Sequence, residues 1–339
     1  MNKIAIGVVI VLVLIMTAVA ALYHDSLGWR SETVRAPVYL QTGVYDKHRT
    51  VAIIGEFFRP TEVERWLMFR RDQPEARAQL IEMLKREGAG TLVFVGNMVG
   101  RGASAGEWRW FDQTIQHFLS SKIPVFPVLG EREYRGLDSV ALTNLRARFS
   151  EHQNQSWFAI NYLNLGFIFL DSNESQLARA EWNAQLDWYK SKLAQFDSAA
   201  GIDGVVVFLH HPPFTNGDGS RDSLRVKEDI LPPFLESKKA LIMTAGRTGA
   251  YEKFYENDKY FYVTGGGGGP RAVLKPVDDR ARDLYVGSAL RPFHYLLLQP
   301  VQGGVTVEVK GFDQGEPNIR QIEKSFIPFR SKDVLKTEE

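Results

Sequence analysis

The chain has 339 residues, 44% hydrophobic and 24% charged, which is enough apolar material for one large core or two smaller ones and argues against disorder. Its 41 basic residues nearly balance 40 acidic ones, and no basic stripe interleaved with aromatics occurs, so nucleic acid is not an expected partner. With no cysteine, disulfides, thiolate metal sites, cysteine nucleophiles and lipid attachment at cysteine are all excluded, and the redox compartment stays undecided.

Lys3 precedes an uncharged run from Ile4 to Leu22, rich in Ile, Val, Leu and Ala. Its length approaches the roughly 20 residues that cross a hydrocarbon core, and the positive-inside tendency keeps Lys3 cytoplasmic. The expectation is an uncleaved membrane anchor over residues 1–22. It would place a single-pass protein in a bacterial-type inner membrane, with the remaining chain extracytoplasmic (periplasmic). The competing reading is a signal peptide, with Ile4 to Met16 as its apolar region and Ala18-Val19-Ala20 as a small-residue cleavage site; the domain would then be secreted. Residues 23–48, with Gly28, Pro37 and Gly43, read as a linker.

From there the pattern alternates short apolar strands, glycine turns and amphipathic helices. Val51 to Ile54, Thr91 to Val95 and Val125 to Leu129 are strands ending at Gly55, Gly96 and Gly130, with helices predicted over Glu75 to Glu87 and Trp108 to Leu119. Trp157 to Asn161 and Gly166 to Leu170 read as a hairpin before Asp171-Ser172-Asn173, and a helix is predicted over Arg179 to Leu193. Val205 to Leu209 is a strand running into His210-His211-Pro212-Pro213, and Ala240 to Thr244 one running into Gly246. Phe261 to Thr264 enters the glycine run Gly265 to Gly269. His294 to Gln299 and Val305 to Lys310 read as an antiparallel closing pair. No internal repeat appears, so residues 49–329 are expected to form one domain, followed by a charged tail over 330–339. No Lys-Ser/Thr follows the glycine run, so it reads as a tight loop rather than a phosphate cradle. Trp108, Trp110, Phe111, Trp182 and Trp188 read as packing residues.

The strand ends read Gly55-Glu56-Phe57-Phe58, Gly96-Asn97, Gly130-Glu131-Arg132-Glu133, His210-His211 and Gly246-Arg247-Thr248-Gly249. In order and spacing this series resembles the calcineurin-like metallophosphoesterases, whose successive strand ends carry Gly-Asp-x-His, Gly-Asp, Gly-Asn-His-Glu/Asp, a lone His and Gly-His-x-His. Gln185 and Trp188 in Gln-Leu-Asp-Trp-Tyr, the Ala250-Tyr251-Glu252-Lys253 segment, and Val263-Thr264 before the glycines extend the likeness toward the purple-acid-phosphatase branch. The resemblance runs from about Thr50 to Lys310.

It implies an α/β (α+β) four-layer αββα sandwich of two mixed sheets flanked by helices. It also implies two dications bridged by a carboxylate and a hydroxide that attacks phosphorus. The ligand positions, however, are substituted. Glu56 stands for the first Asp, Phe58 for the first His, Asn97 for the bridging Asp and Glu131 for the Asn ligand. Arg132 stands for the catalytic His, a group that cannot exchange a proton near neutral pH. Arg247 and Gly249 replace the last His pair, and His210 alone matches.

The expectation is therefore a pseudo-phosphoesterase without catalytic residues and without a metal cofactor. In it Arg132 and Arg247 pair with Glu56, Glu131 or Glu133, fill the former metal cavity, and hold an anionic group such as a phosphate. The protein would act as a binding or scaffolding module, with the membrane and an envelope protein or phosphate-bearing ligand as partners. The alternative is a residual phosphoesterase using Glu56, Asn97, Glu131 and His210 around a single Mn, Fe or Zn. His210 is the one weak metal ligand of the set, and a buried hydrogen-bonded imidazole is its plainer reading.

Overall fold

Successive residues of the central strands enter different apolar layers, and that alternation sets the architecture. The computed structural model describes residues 7, 9–17, 36–40, 50–280, 282–316 and 318–330. Its first half runs β1 (Val51–Ile54), α1 (Glu62–Leu67), α2 (Pro74–Glu87), β2 (Thr91–Val95), α3 (Ala105–Thr114), α4 (Gln116–Ser120), β3 (Val125–Val128) and α5 (Asp138–Arg146). Its second half runs β4 (Phe158–Tyr162), β5 (Leu165–Phe169), α6 (Arg179–Ser198), β6 (Gly204–Phe208), α7 (Leu231–Glu236), β7 (Ala240–Ala245), β8 (Tyr251–Glu256) and β9 (Lys259–Thr264). The closing strands are β10 (Phe293–Val301), β11 (Gly304–Phe312) and β12 (Arg320–Pro328).

Two six-stranded sheets result, in the orders β12-β11-β10-β1-β2-β3 and β4-β5-β6-β7-β9-β8. Both are mixed: β1, β2 and β3 are parallel while β10 joins β1 antiparallel, and β5, β6, β7 and β9 are parallel while β4 and β8 run against them. Val51 and Ile53 of β1 meet Phe167, Phe169, Val206 and Phe208 in an apolar layer between the sheets. Ala52 and Ile54 face the other way, onto Leu80, Leu84, Trp108 and Phe111 of α2 and α3. On the far side Val205 and Val207 pack against Trp182, Tyr189 and Leu193 of α6. The order helix, sheet, sheet, helix is the one the resemblance implies.

Some expectations need correction. The helix expected over Trp108 to Leu119 breaks at Ile115, whose φ of −99° and ψ of 11° end α3. The break lets Ile115 and Phe118 enter the same core. Strand β12 was not anticipated because it is an edge strand with mostly exposed or half-exposed side chains, so no apolar run marks it. No helix among the described residues is long and apolar enough to cross a membrane. Residues 9–17 are helical and exposed, whereas 1–6, 8, 18–35, 41–49 and 331–339 lie outside the described residues, and with them much of the anchor expected over 1–22, the linker and the tail.

Candidate functional site

The loops leaving β1, β2, β3, β6 and β7 meet at one end of the sandwich, stitched by backbone hydrogen bonds. Phe57 and Phe58 N–H both donate to the Asn97 carbonyl (3.0 Å each), and Gly246 N–H donates to that of His210 (3.1 Å). Two glycines make this approach possible: a Cβ on Gly96 would lie 2.2 Å from His210 Nδ1, and one on Gly55 1.9 Å from the Thr264 carbonyl oxygen. Glu56, Asn97 and Arg247, at three of these strand ends, have φ of 57°, 55° and 71°. That left-handed conformation costs an L-residue roughly 1–2 kcal/mol, and Asn alone of the three tolerates it well. Strain of this kind persists where surrounding structure over-determines the backbone, as at sites that aim side chains at a common point.

The side chains so aimed form a closed network. Asn97 Nδ2 donates to Glu56 Oε1 (2.7 Å) and Glu131 Oε1 (3.3 Å), and Asn97 Oδ1 accepts from Arg132 N–H (3.1 Å). His210 Nδ1 lies 2.8 Å from the Val95 carbonyl, which only accepts, so Nδ1 carries a proton; Nε2 lies 2.7 Å from Glu131 Oε2. Arg247 Nη1 reaches Glu131 Oε2 (3.4 Å) and His211 Nε2 (2.7 Å). A guanidinium only donates, so His211 Nε2 accepts and the His211 proton sits on Nδ1, facing Ser172 Oγ at 3.0 Å. Ser172 Oγ also accepts from the backbone N–H groups of His210 and His211, which fixes the position of the His pair.

Electrostatics follow from burial and these partners. Burial works against the charge of Glu131, yet His210 and Arg247 hold its carboxyl far below the usual range. Burial likewise disfavours the His210 cation, but Glu131 and then Glu56 push it up to about 9. Burial raises Glu56 to about 7, with His210 opposing and Glu131 adding to the effect. Burial and the His210 and Arg247 cations keep His211 neutral. At neutral pH the pocket therefore holds two cations, His210 and Arg247, against Glu131 and a partly ionised Glu56.

Because the folded Glu56 carboxyl titrates near 7 against an ordinary 4.5, its ionised form is disfavoured in the folded protein. The resulting destabilisation is absent below the lower value and complete above the higher one. Glu56→Gln, which keeps the acceptor for Asn97 Nδ2 and Arg247 N–H, is expected to stabilise the protein by about 3 kcal/mol at pH 8 and by almost nothing at pH 4. Denaturant melts at the two pH values check this, and equal effects at both would refute it.

The structure assigns the other expected site residues differently. Arg132 does not enter the pocket. It is 1% exposed, makes a two-point pair with Glu64 (Nη1–Oε2 3.0 Å, Nη2–Oε1 2.6 Å) and lies 3.4 Å over the Phe58 ring. A buried guanidinium takes the carboxylate that fits its fork, and Glu64 on α1 supplies it. The expected pairing of Arg132 with Glu56, Glu131 or Glu133, and its availability to an anion, are thus corrected, whereas Arg247 does reach Glu131. Glu133 instead accepts backbone N–H groups from Asn97, Met98, Val99 and Gly130. Gly249 (φ 64°) is a turn residue whose added Cβ would lie 2.8 Å from Ala272 N. Glu64, His211 and Ser172 were missed. The Thr61-x-x-Glu64 spacing of a capping box was the available signal for Glu64.

These donors do not fit two bridged dications. The bridging carboxylate is an amide spent on Glu56 and Glu131, Phe58 offers no lone pair, and Arg247 puts a fixed cation among the remaining ligands. Glu131, His210 and His211 do bring one ligand atom each within 4.8 Å of one another, a three-residue set that could hold one metal ion. Nδ1–H donation from His210 to Val95 leaves Nε2 as its ligating atom, the orientation metal-bound histidines use. In the conformation described, however, Arg247 caps His211 Nε2.

No family model matches the sequence, and no curated protein does. Two facing mixed sheets between helices, with loops gathered at the strand ends, are the fold of the calcineurin-like metallophosphoesterases. A purple acid phosphatase, PPD1 of yellow lupin (Lupinus luteus) seeds, is similar with a TM-score of 0.67 and 15% identity, over 85% of this chain and 55% of its own. GAP50, described as the anchor in the inner membrane complex of Plasmodium, gives 0.62 and 16% over 84% of this chain and 90% of its own. A dimetal phosphatase of Danio rerio gives 0.55 and 13% over 83% and 99%. At these identities the likeness is one of fold.

Proposed function

We propose that this chain is a pseudo-phosphoesterase: a metallophosphoesterase fold that binds or anchors rather than hydrolyses, held on the extracytoplasmic side of a membrane by its Ile4 to Leu22 run. The observation that carries the reading is Asn97. Where a bridging carboxylate would need to be anionic and unencumbered, this amide donates to Glu56 and Glu131, and Arg247 supplies positive charge beside them. Such a pocket attracts anions more readily than dications, with Arg247, whose side chain is 38% exposed, as the group that would meet one. The likeness to GAP50, described as an anchor, is compatible with a retained fold used for attachment. An envelope protein or a phosphate-bearing group is the expected partner.

The test is a thermal melt with inorganic phosphate, since a ligand bound only by the folded state raises its melting temperature. Millimolar phosphate is expected to raise the melting temperature of the native chain and not that of Arg247→Ala. Equal shifts, or none in either, would remove the anion-holding part of the proposal; turnover of an aryl phosphate would remove the rest. A second reading, a hydrolase with one metal, is favoured by the Glu131, His210 and His211 set alone. It requires Arg247 to move away from His211 on metal binding.

A further inference from the structure

Four consecutive large apolar side chains at the end of α1 stand in solvent: Trp66 is 74% exposed, Leu67 75%, Met68 57% and Phe69 84%. A run of this kind is disfavoured on a soluble surface unless something covers it. It is also held firmly. Met68 and Arg70 N–H both donate to the Glu64 carbonyl (3.2 and 3.0 Å), and Phe69, with φ of 52°, makes the turn that ends the segment. The Glu64 side chain below them is clamped by buried Arg132. The tip is therefore presented by the fold and is not a loose loop.

The charge around the tip indicates what covers it. Arg65, Arg70 and Arg71 flank the four apolar residues, and among the described residues Arg71 has no hydrogen-bond or ion-pair partner. Of the acidic residues nearby, Glu64 is shared among the buried Arg132, Arg135 and Arg70 itself, and Asp72 pairs with the buried Arg77. Only Glu62, bonded to Arg65, remains as an exposed counter-charge. An apolar tip with an aromatic at each end, bordered in sequence by three arginines, matches the boundary of a bilayer. There, aromatic and aliphatic groups enter the acyl region and guanidiniums meet lipid phosphates.

We infer that the tip Trp66-Leu67-Met68-Phe69, with Arg65, Arg70 and Arg71, is a membrane-surface contact that inserts into the interfacial region of a bilayer carrying anionic lipid. The inference does not rest on the Ile4 to Leu22 run, which would tether the chain without orienting the domain. A contact at the end of α1 would fix the site-bearing end of the sandwich against the bilayer.

The full chain contains no cysteine, so Met68→Cys can be labelled alone with an environment-sensitive fluorophore, and Ser191→Cys on α6 serves as a remote control. Each labelled chain is mixed with phosphatidylcholine vesicles, with or without phosphatidylglycerol, some carrying a spin-labelled quencher in the acyl region. The label at position 68 is expected to shift to shorter wavelength and to be quenched about twofold or more on the anionic vesicles only. The control at 191 should stay as in water, and Arg71→Glu or Trp66→Ser should diminish the response at 68. A label at 68 that remains water-exposed on both vesicle types overturns the inference. So does a shift that follows protein concentration instead of anionic lipid, which would assign the tip to a second copy of the chain. Failure of the Ile4 to Leu22 tether would show separately, as loss of co-sedimentation with pure phosphatidylcholine vesicles while the anionic response at 68 persists.

Discussion

Glu133→Ala is expected to cost about 4 kcal/mol of stability and to lower the melting temperature by roughly 10 °C. Glu133 is 0% exposed, and both of its carboxylate oxygens are occupied by backbone donors. Oε2 accepts from Asn97 and Gly130 at 2.8 Å each, and Oε1 from Met98 at 2.8 Å and Val99 at 3.3 Å. Alanine would orphan four N–H groups in a space too enclosed to hydrate them freely, at a cost of about 1 kcal/mol or more each. Those donors belong to the loops after β2 and β3, so the same change should loosen Asn97 and Glu131 together. Glu133→Gln separates hydrogen bonding from volume: its amide keeps one acceptor and turns an NH₂ toward the remaining donors, so it should lose at least half as much. A Glu133→Gln protein as stable as the native one would show that the carboxylate is not what joins the loops.

Arg132→Ala should cost somewhat less, about 3 kcal/mol, because it takes from the buried Glu64 carboxylate on α1 its two-point partner and leaves it the more exposed Arg135 and Arg70 at 3.1 and 3.3 Å. Removing both partners should be far milder than removing one. The double variant Arg132→Met/Glu64→Leu is therefore expected to lie within about 1–2 kcal/mol of the native chain. The pair also predicts a pH dependence. Burial alone would raise Glu64, but the hydrogen bonds and charge of Arg132 dominate and lower it to about 2 from an ordinary 4.5. A carboxyl whose folded value is depressed contributes stability above its unfolded value and loses it as pH falls through the folded one. The contribution, about 3 kcal/mol, should be complete above pH 5 and largely gone by pH 2. Urea titrations between these limits should show a steeper decline for the native chain than for the double variant. Parallel declines would mean that Glu64 is not held ionised by Arg132.

How far the sequence revealed this arrangement depended on the kind of signal. Apolar strands ending in glycine, such as Val51 to Gly55 and Thr91 to Gly96, are legible because burial on both faces and close backbone approach leave a local composition. Edge strand β12 is not, since one side of it is water and most of its side chains are exposed or half-exposed, so no apolar run marks it. Within the site, strand-end positions could be read from order and spacing, whereas the direction of a long side chain could not. Arg132 and Arg247 look alike in sequence; the difference is made by Glu64, 68 residues away in the chain, which offers Arg132 a buried two-point partner. His211 was visible beside His210, but its role follows from Ser172 and Arg247, neither of which is near it in sequence.

The strand ends do not offer ligands for two bridged dications. Calorimetric titration of the purified full chain with Mn²⁺ and with Zn²⁺ tests this directly, with the bound metal counted afterwards by elemental analysis. At most one weakly held ion per chain is expected, with tighter binding by Arg247→Ala than by the native protein. Two ions per native chain, bound tightly and unaffected by Arg247→Ala, would contradict it.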